Sequence, residues 1–103
     1  MLNIGPRIKK TVTANNPVIT VGDNSYFLVT GDGNNPKVIL TAGRSYGQLL
    51  LIECALNKPF RMVDKVNKHR TELSKNYTMK GADTMLLVWS GSRWVQVSYS
   101  KNS

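Results

Sequence analysis

The sequence predicts an all-β fold, and three observations carry that expectation. Apolar and β-branched residues come in short runs of roughly 4–8 residues, each closed by Gly, Pro, Asn or Asp. The runs recur at intervals of roughly 8–12 residues, the spacing of a sandwich, roll or barrel. Only residues 66–79 offer a helical alternative, and their β-branched, Asn, Ser and Tyr content does not insist on it. The 103-residue chain therefore reads as a small single-domain β-sandwich or β-roll. A chain of this size buries roughly 60–70% of its unfolded surface, so oligomerisation is an expected supplement to the core.

Taken in order, residues 1–16 (MLNIGPRIKKTVTANN) space Leu2, Ile4, Ile8 and Val12 without a sustained period, and Gly5-Pro6 interrupts any regular element. They read as an extended N-terminal arm, with residues 17–103 as the β domain. Strands are expected over 18–21, 25–30, 37–41, 49–54, 60–65, 84–90 and 94–99. The breaks between them are Gly22-Asp23-Asn24, residues 31–36 (GDGNNP), 42–47, Asn57-Lys58-Pro59 and 90–93. Asn, Asp and Gly tolerate positive φ and Pro presets a negative one, so each break is a turn with a mechanism.

The final hairpin is the most specific element. A two-residue Gly91-Ser92 loop suits a type II′ turn, which wants Gly first. That register sets Trp89 opposite Trp94, Val88 opposite Val95, Leu87 opposite Gln96 and Leu86 opposite Val97. Met85, Leu87, Trp89 and Trp94 then share one face; Leu86, Val88, Val95 and Val97 share the other. Both faces are apolar, so the pair is expected to be buried on two sides. Met85, Leu87, Trp89 and Trp94 are assigned to core or trimer packing, with a ligand-stacking platform as the alternative use of the two indoles.

Charge and composition narrow the function. Fourteen Lys and Arg against six Asp and Glu give a net charge of +8, which fits nucleic acid, an acidic protein surface or an anionic glycan. Between residues 58 and 80, Lys58, Arg61, Lys65, Lys68, Arg70, Lys75 and Lys80 face only Asp64 and Glu72. This stretch is either a solvated face or a binding patch. No run nears the ~18 apolar residues of a membrane-crossing helix, and the N-terminus lacks the apolar core of a signal peptide. The chain is read as made and folded in a cytoplasm. Cys54 is the single cysteine, which excludes an intrachain disulfide and a cysteine metal cluster.

Catalysis has little to work with. His69, the sole histidine, sits in Lys68-His69-Arg70 and reads as a solvated loop residue. Cys54 closes the run Leu49-Leu50-Leu51-Ile52 and reads as a small packed hydrophobe. Glu53 either faces solvent or pairs with a lysine. The acids are scattered along the chain, with no pair to propose as a general acid and base. The Asp23 and Asp32 turns lack the distal Glu of a calcium loop. No enzyme, catalytic residue, metal or cofactor is predicted. For single-stranded nucleic acid the candidates are Tyr77, Tyr99 and Trp94 with the bases of 58–80. The aromatics are not interleaved with that run, however, and no RNA-recognition signature is legible.

The pattern as a whole is more specific than any one residue. Asp23-Asn24-Ser25-Tyr26 ends one strand, a segment 38–41 (VILT) follows, then 47–52 (GQLLLI), then 81–94 (GADTMLLVWSGSRW). This succession resembles a small β module that recurs in tailed-phage structural proteins, including fibre, tail and capsid-decorating proteins. The likeness covers residues 12–99 and departs in two places. Residues 55–75 are basic where such modules are rich in Thr and Gly, and Leu40-Thr41 stands where Leu-Pro is usual. The resemblance implies a homotrimer on the virion. With no shaft repeats, the chain is expected to be a capsid cement (decoration) protein at the capsid surface, with the major capsid protein as partner. Leu2, Ile4, Arg7, Ile8, Lys9 and Lys10 of the arm are expected to touch the capsid, and Lys58, Arg61, Lys65, Lys68 and Arg70 to form the basic patch. A tail, fibre or baseplate component and a basic single-strand binder are the alternatives. Neither a membrane nor, as first choice, nucleic acid is an expected partner.

Overall fold

Strand follows strand with one helical turn between them. The computed structural model describes residues 5–103. Within them run β1 (Ile8–Thr11), β2 (Val18–Ile19), β3 (Tyr26–Thr30), β4 (Ile39–Leu40), β5 (Leu49–Cys54), β6 (Phe60–Met62), α1 (Val66–His69), β7 (Thr71–Glu72), β8 (Tyr77–Met79), β9 (Thr84–Trp89) and β10 (Trp94–Ser100). The all-β expectation holds. A six-stranded mixed sheet has the order β1-β3-β5-β9-β10-β7, with β1 and β7 at its edges. Two short ribbons, β2–β4 and β6–β8, form the opposing layer.

Alternation along each strand decides which side chains meet between the layers. In β5 Leu50, Ile52 and Cys54 are buried while Leu49, Leu51 and Glu53 are half-buried. In β9 Met85, Leu87 and Trp89 point inward and Leu86 and Val88 outward. The inward set joins Phe27 and Val29 of β3, Trp94 of β10, and Ile19, Leu40, Phe60, Met62, Tyr77 and Met79 of the ribbons in one core.

The two tryptophans stand at the end of this core, ring centroids 5.2 Å apart and tilted by 55°. They are directly paired across the hairpin. Trp94 is fully buried, and its indole Nε1–H donates to the Thr41 carbonyl at 3.0 Å. Trp89 lies on Gly43, where a Cβ would come within 2.6 Å of the indole. At the turn Gly91 has φ +102°, the conformation a type II′ turn needs at its first central residue.

Several expectations need refinement or correction. Residues 8–11 of the extended arm belong to the sheet: β1 pairs in parallel with β3, Ile8 opposite Phe27, and Val12 is wholly buried. The hairpin register holds to Gln96 and then shifts, so that Ser98 and not Val97 faces Leu86. A β-bulge adds one residue to one strand and turns it out of the ladder, leaving Val97 55% exposed. Burial on two sides therefore fails, because the outer face is half-buried at Leu86, Val88 and Val95. The stretch 66–79 holds one turn of helix and two short strands. His69 in that turn is buried, with Nδ1 2.9 Å from the Val38 carbonyl. A carbonyl only accepts, so Nδ1 carries the proton.

Trp94→Phe keeps an aromatic ring but leaves a void and removes the donor to Thr41. The expected loss is roughly 2–4 kcal/mol of unfolding free energy, read by urea denaturation with Trp89 fluorescence as the probe. A loss under roughly 0.5 kcal/mol would mean the layers are held together elsewhere.

Candidate functional site

Cationic side chains gather on and beside the β6–β8 ribbon. Phe60 and Met62 point inward, which turns Arg61 between them to the outer side, opposite Thr78 of β8. Lys37 joins it, bridged in parallel to Arg61. Lys58 sits in the turn before β6, its carbonyl accepting the Gly31 N–H at 2.9 Å. Lys65 precedes α1, Lys68 lies in it, and Arg70 ends it in the left-handed region at φ 59°. The Arg70 carbonyl accepts the Trp94 N–H at 2.7 Å, so the cationic turn is tied to the core tryptophan. Lys58, Lys65, Lys68 and Arg70 are exposed and Arg61 is half-buried.

Little counter-charge reaches this flank. Asp64 Oδ1 accepts the Leu73 N–H at 2.9 Å. Glu72 turns to the other sheet face, where Arg93 Nε lies 2.7 Å from its Oε1.

A second cationic place brings together two of the aromatics named from the sequence. Tyr77 of β8 and Tyr99 of β10 meet with ring centroids 4.4 Å apart, and Lys75 Nζ lies 5.5 Å from the Tyr77 ring centre. A hollow of about 280 Å³ beside them is lined by Lys75, Thr78, Lys80, Tyr99 and Lys101 among others. The two rings belong to strands that are far apart in sequence, so no spacing rule could have paired them. Beneath lies the buried Asp83. Its carboxylate accepts the N–H groups of Lys80 at 3.0 Å, Asn102 at 2.7 Å and Ser103 at 3.0 Å, and the Tyr99 hydroxyl at 3.2 Å. Burial works to raise the Asp83 pKa, but these donors outweigh it and the carboxyl titrates below its ordinary value. Burial first, and then the Asp83 charge, raises that of Tyr99.

The other predicted residues fall as follows. Met85, Leu87, Trp89 and Trp94 are all in the core of the single chain, leaving neither indole as a platform and none of the four for a trimer surface. Arg7 pairs with Glu53 at 3.5 Å, and Glu53 Oε1 also accepts the Tyr26 hydroxyl at 2.6 Å. Ile8 packs against the core, Lys9 is exposed and Lys10 half-buried. Leu2 and Ile4 lie outside the described residues.

The single thiol is closed off from solvent. Cys54 is 1% exposed, with Sγ 3.3 Å from the carbonyls of Ala55 and Met79. Burial first, and the Asp83 charge second, push its thiol up to about 11. Among the described residues no three of His, Cys, Asp and Glu come together to hold a metal. The chain matches no protein-family profile and no curated protein.

Two outcomes follow. At pH 8 a thiol reagent is expected to leave Cys54 unmodified in the folded protein and to label it at once in denaturant. Fast labelling without denaturant would show that the thiol opens to solvent. The Asp83 carboxyl titrates lower in the folded state than in the unfolded chain. Its stabilisation is therefore complete above the ordinary carboxyl value of 3.8 and is lost as pH falls through the folded value. Melting temperature should thus drop below about pH 4 in the wild type and change less over that range in Asp83→Asn; equal slopes would exclude Asp83 as the titrating group.

Proposed function

We propose that the protein is a capsid cement (decoration) protein of a tailed phage: a homotrimer that binds the major capsid protein at the capsid surface and stabilises the shell by contact alone. The observation that carries this reading is the flank formed by Lys37, Lys58, Arg61, Lys65, Lys68 and Arg70 on a rigid β scaffold. The succession of turns and strands that resembles phage structural modules supports it from the sequence side. A cationic surface of this kind recognises an acidic one. It speeds encounter and selects partners, and it weakens as salt screens the charges. In a trimer three such flanks engage together, so weak contacts add to tight attachment.

One observation favours a second reading, a binder of single-stranded nucleic acid. Tyr99 is half-buried beside Lys75, Lys80 and Lys101, a stacking face among phosphate-binding groups.

Co-sedimentation with empty shells of the encoding phage tests the first reading. The wild type is expected to pellet saturably with the shells and to be released by salt. Arg61→Glu, Lys65→Glu and Lys68→Glu combined should weaken it at least about tenfold. Full retention of that triple variant, or no pelleting of the wild type, overturns the reading. Salt-sensitive binding to a single-stranded oligonucleotide, lost in Tyr99→Ala, would favour the second.

A further inference from the structure

We infer that the outer face of the six-stranded sheet is the surface through which one copy of this chain binds another. The inference deepens the trimeric part of the proposed function and rests on it only for the number of copies. Its centre is aliphatic and continuous. Leu51 of β5 is paired with Leu86 of β9, and Leu49 with Val88. Val88 is paired in turn with Val95 of β10, and Leu28 of β3 lies on the same side, paired with Glu53. These side chains are half-buried, and among the described residues both ribbons pack against the opposite face.

Charge singles out a second copy as the occupant, and size allows it. Six strands at about 4.8 Å, five or so residues long at about 3.3 Å each, give a flat footprint of roughly 400–500 Å² and a larger side-chain surface. The aliphatic side chains occupy its centre, and with side-chain relief the whole face approaches the roughly 800 Å² per partner that stable contacts bury. The chain carries +8, yet this face is close to neutral. Arg7 is matched by Glu53 and Arg93 by Glu72, leaving Lys9 as the one unmatched charge of the five. An acidic partner would be drawn to the cationic flank. A second copy, repelled by that flank, meets least repulsion here. Apolar residues at the centre with paired charges around them is also how protein interfaces are arranged.

Strand alternation divides the two uses the sequence allowed for β9. Met85, Leu87 and Trp89, assigned to core or trimer packing, fill the chain's own core. The residues between them, Leu86 and Val88, are the ones left to meet a partner.

Light scattering over a dilution series reads the inference directly. The wild type is expected to show a mass above that of a single chain, and Leu51→Lys to fall to the single-chain mass. Since Leu51→Lys can fail to fold, the pair Leu86→Thr and Val88→Thr, which keeps strand-forming residues, is measured beside it, with circular dichroism as the check. Arg61→Glu with Lys68→Glu, on the cationic flank, should keep the wild-type mass. Methyl spectra of the wild type give a reading free of mutation. The methyls of Leu51, Leu86 and Val88 should shift as concentration rises, and those of Leu50 and Leu87 should not. A single-chain mass at every wild-type concentration, an unchanged mass in a folded face variant, or shifts confined elsewhere would overturn the inference. Shell co-sedimentation is a separate readout. A protein that self-associates by this face and ignores shells keeps the inference and loses the cement function.

Discussion

One buried indole N–H governs how the two layers sit. Trp94 has no solvent to bond with, and an unpaired N–H in that position would be costly. Its partner is the Thr41 carbonyl, in the loop that leaves β4. Thr41 is itself fixed: its N–H donates to Ile19 and its hydroxyl accepts from Val21. The Trp94 backbone N–H reaches Arg70 at the end of α1. One residue thus joins the large sheet, the β2–β4 ribbon and the turn that carries the cationic flank. Trp89 completes the pair only because Gly43 has no side chain in its way.

With that pair in place, the rest of the sheet has no freedom of register. A slip of one residue in β9 would carry Met85, Leu87 and Trp89 to the outside and Leu86 and Val88 within. The core would lose three of its members, one of them a tryptophan. The division of the molecule into a packed interior, a nearly neutral aliphatic outer face and a cationic flank is one consequence of strand alternation on a chain with few acids.

What was legible in the sequence was what is written locally. Gly, Pro, Asn and Asp punctuate the strands through their own backbone preferences, so strand positions and the Gly91-Ser92 turn could be read directly. The bulge at Val97 has no such signature, because Val95, Gln96, Val97 and Ser98 keep an unbroken apolar–polar alternation through it. β1 was missed because Lys9 and Lys10 spoil the alternation and its partner, β3, lies beyond an intervening ribbon strand. His69 is flanked by two cations that face solvent, and only contact with Val38 across the fold makes it a core residue. The basic residues of 58–80 were plain as charges. That Lys37 joins them, and that Tyr77 meets Tyr99, depends on strand pairings that no linear spacing reveals.

The edges of the sheet carry a different consequence. On one side lies β1, with Lys9 and Lys10 among its four residues; on the other lies β7, only two residues long. A fibril grows by adding strands to an open, apolar edge, and charge or shortness at the edge blocks that growth. This sheet can therefore be crowded without being lengthened. Whatever brings many copies close together presses faces into contact, and the backbone ladders end where each chain ends them.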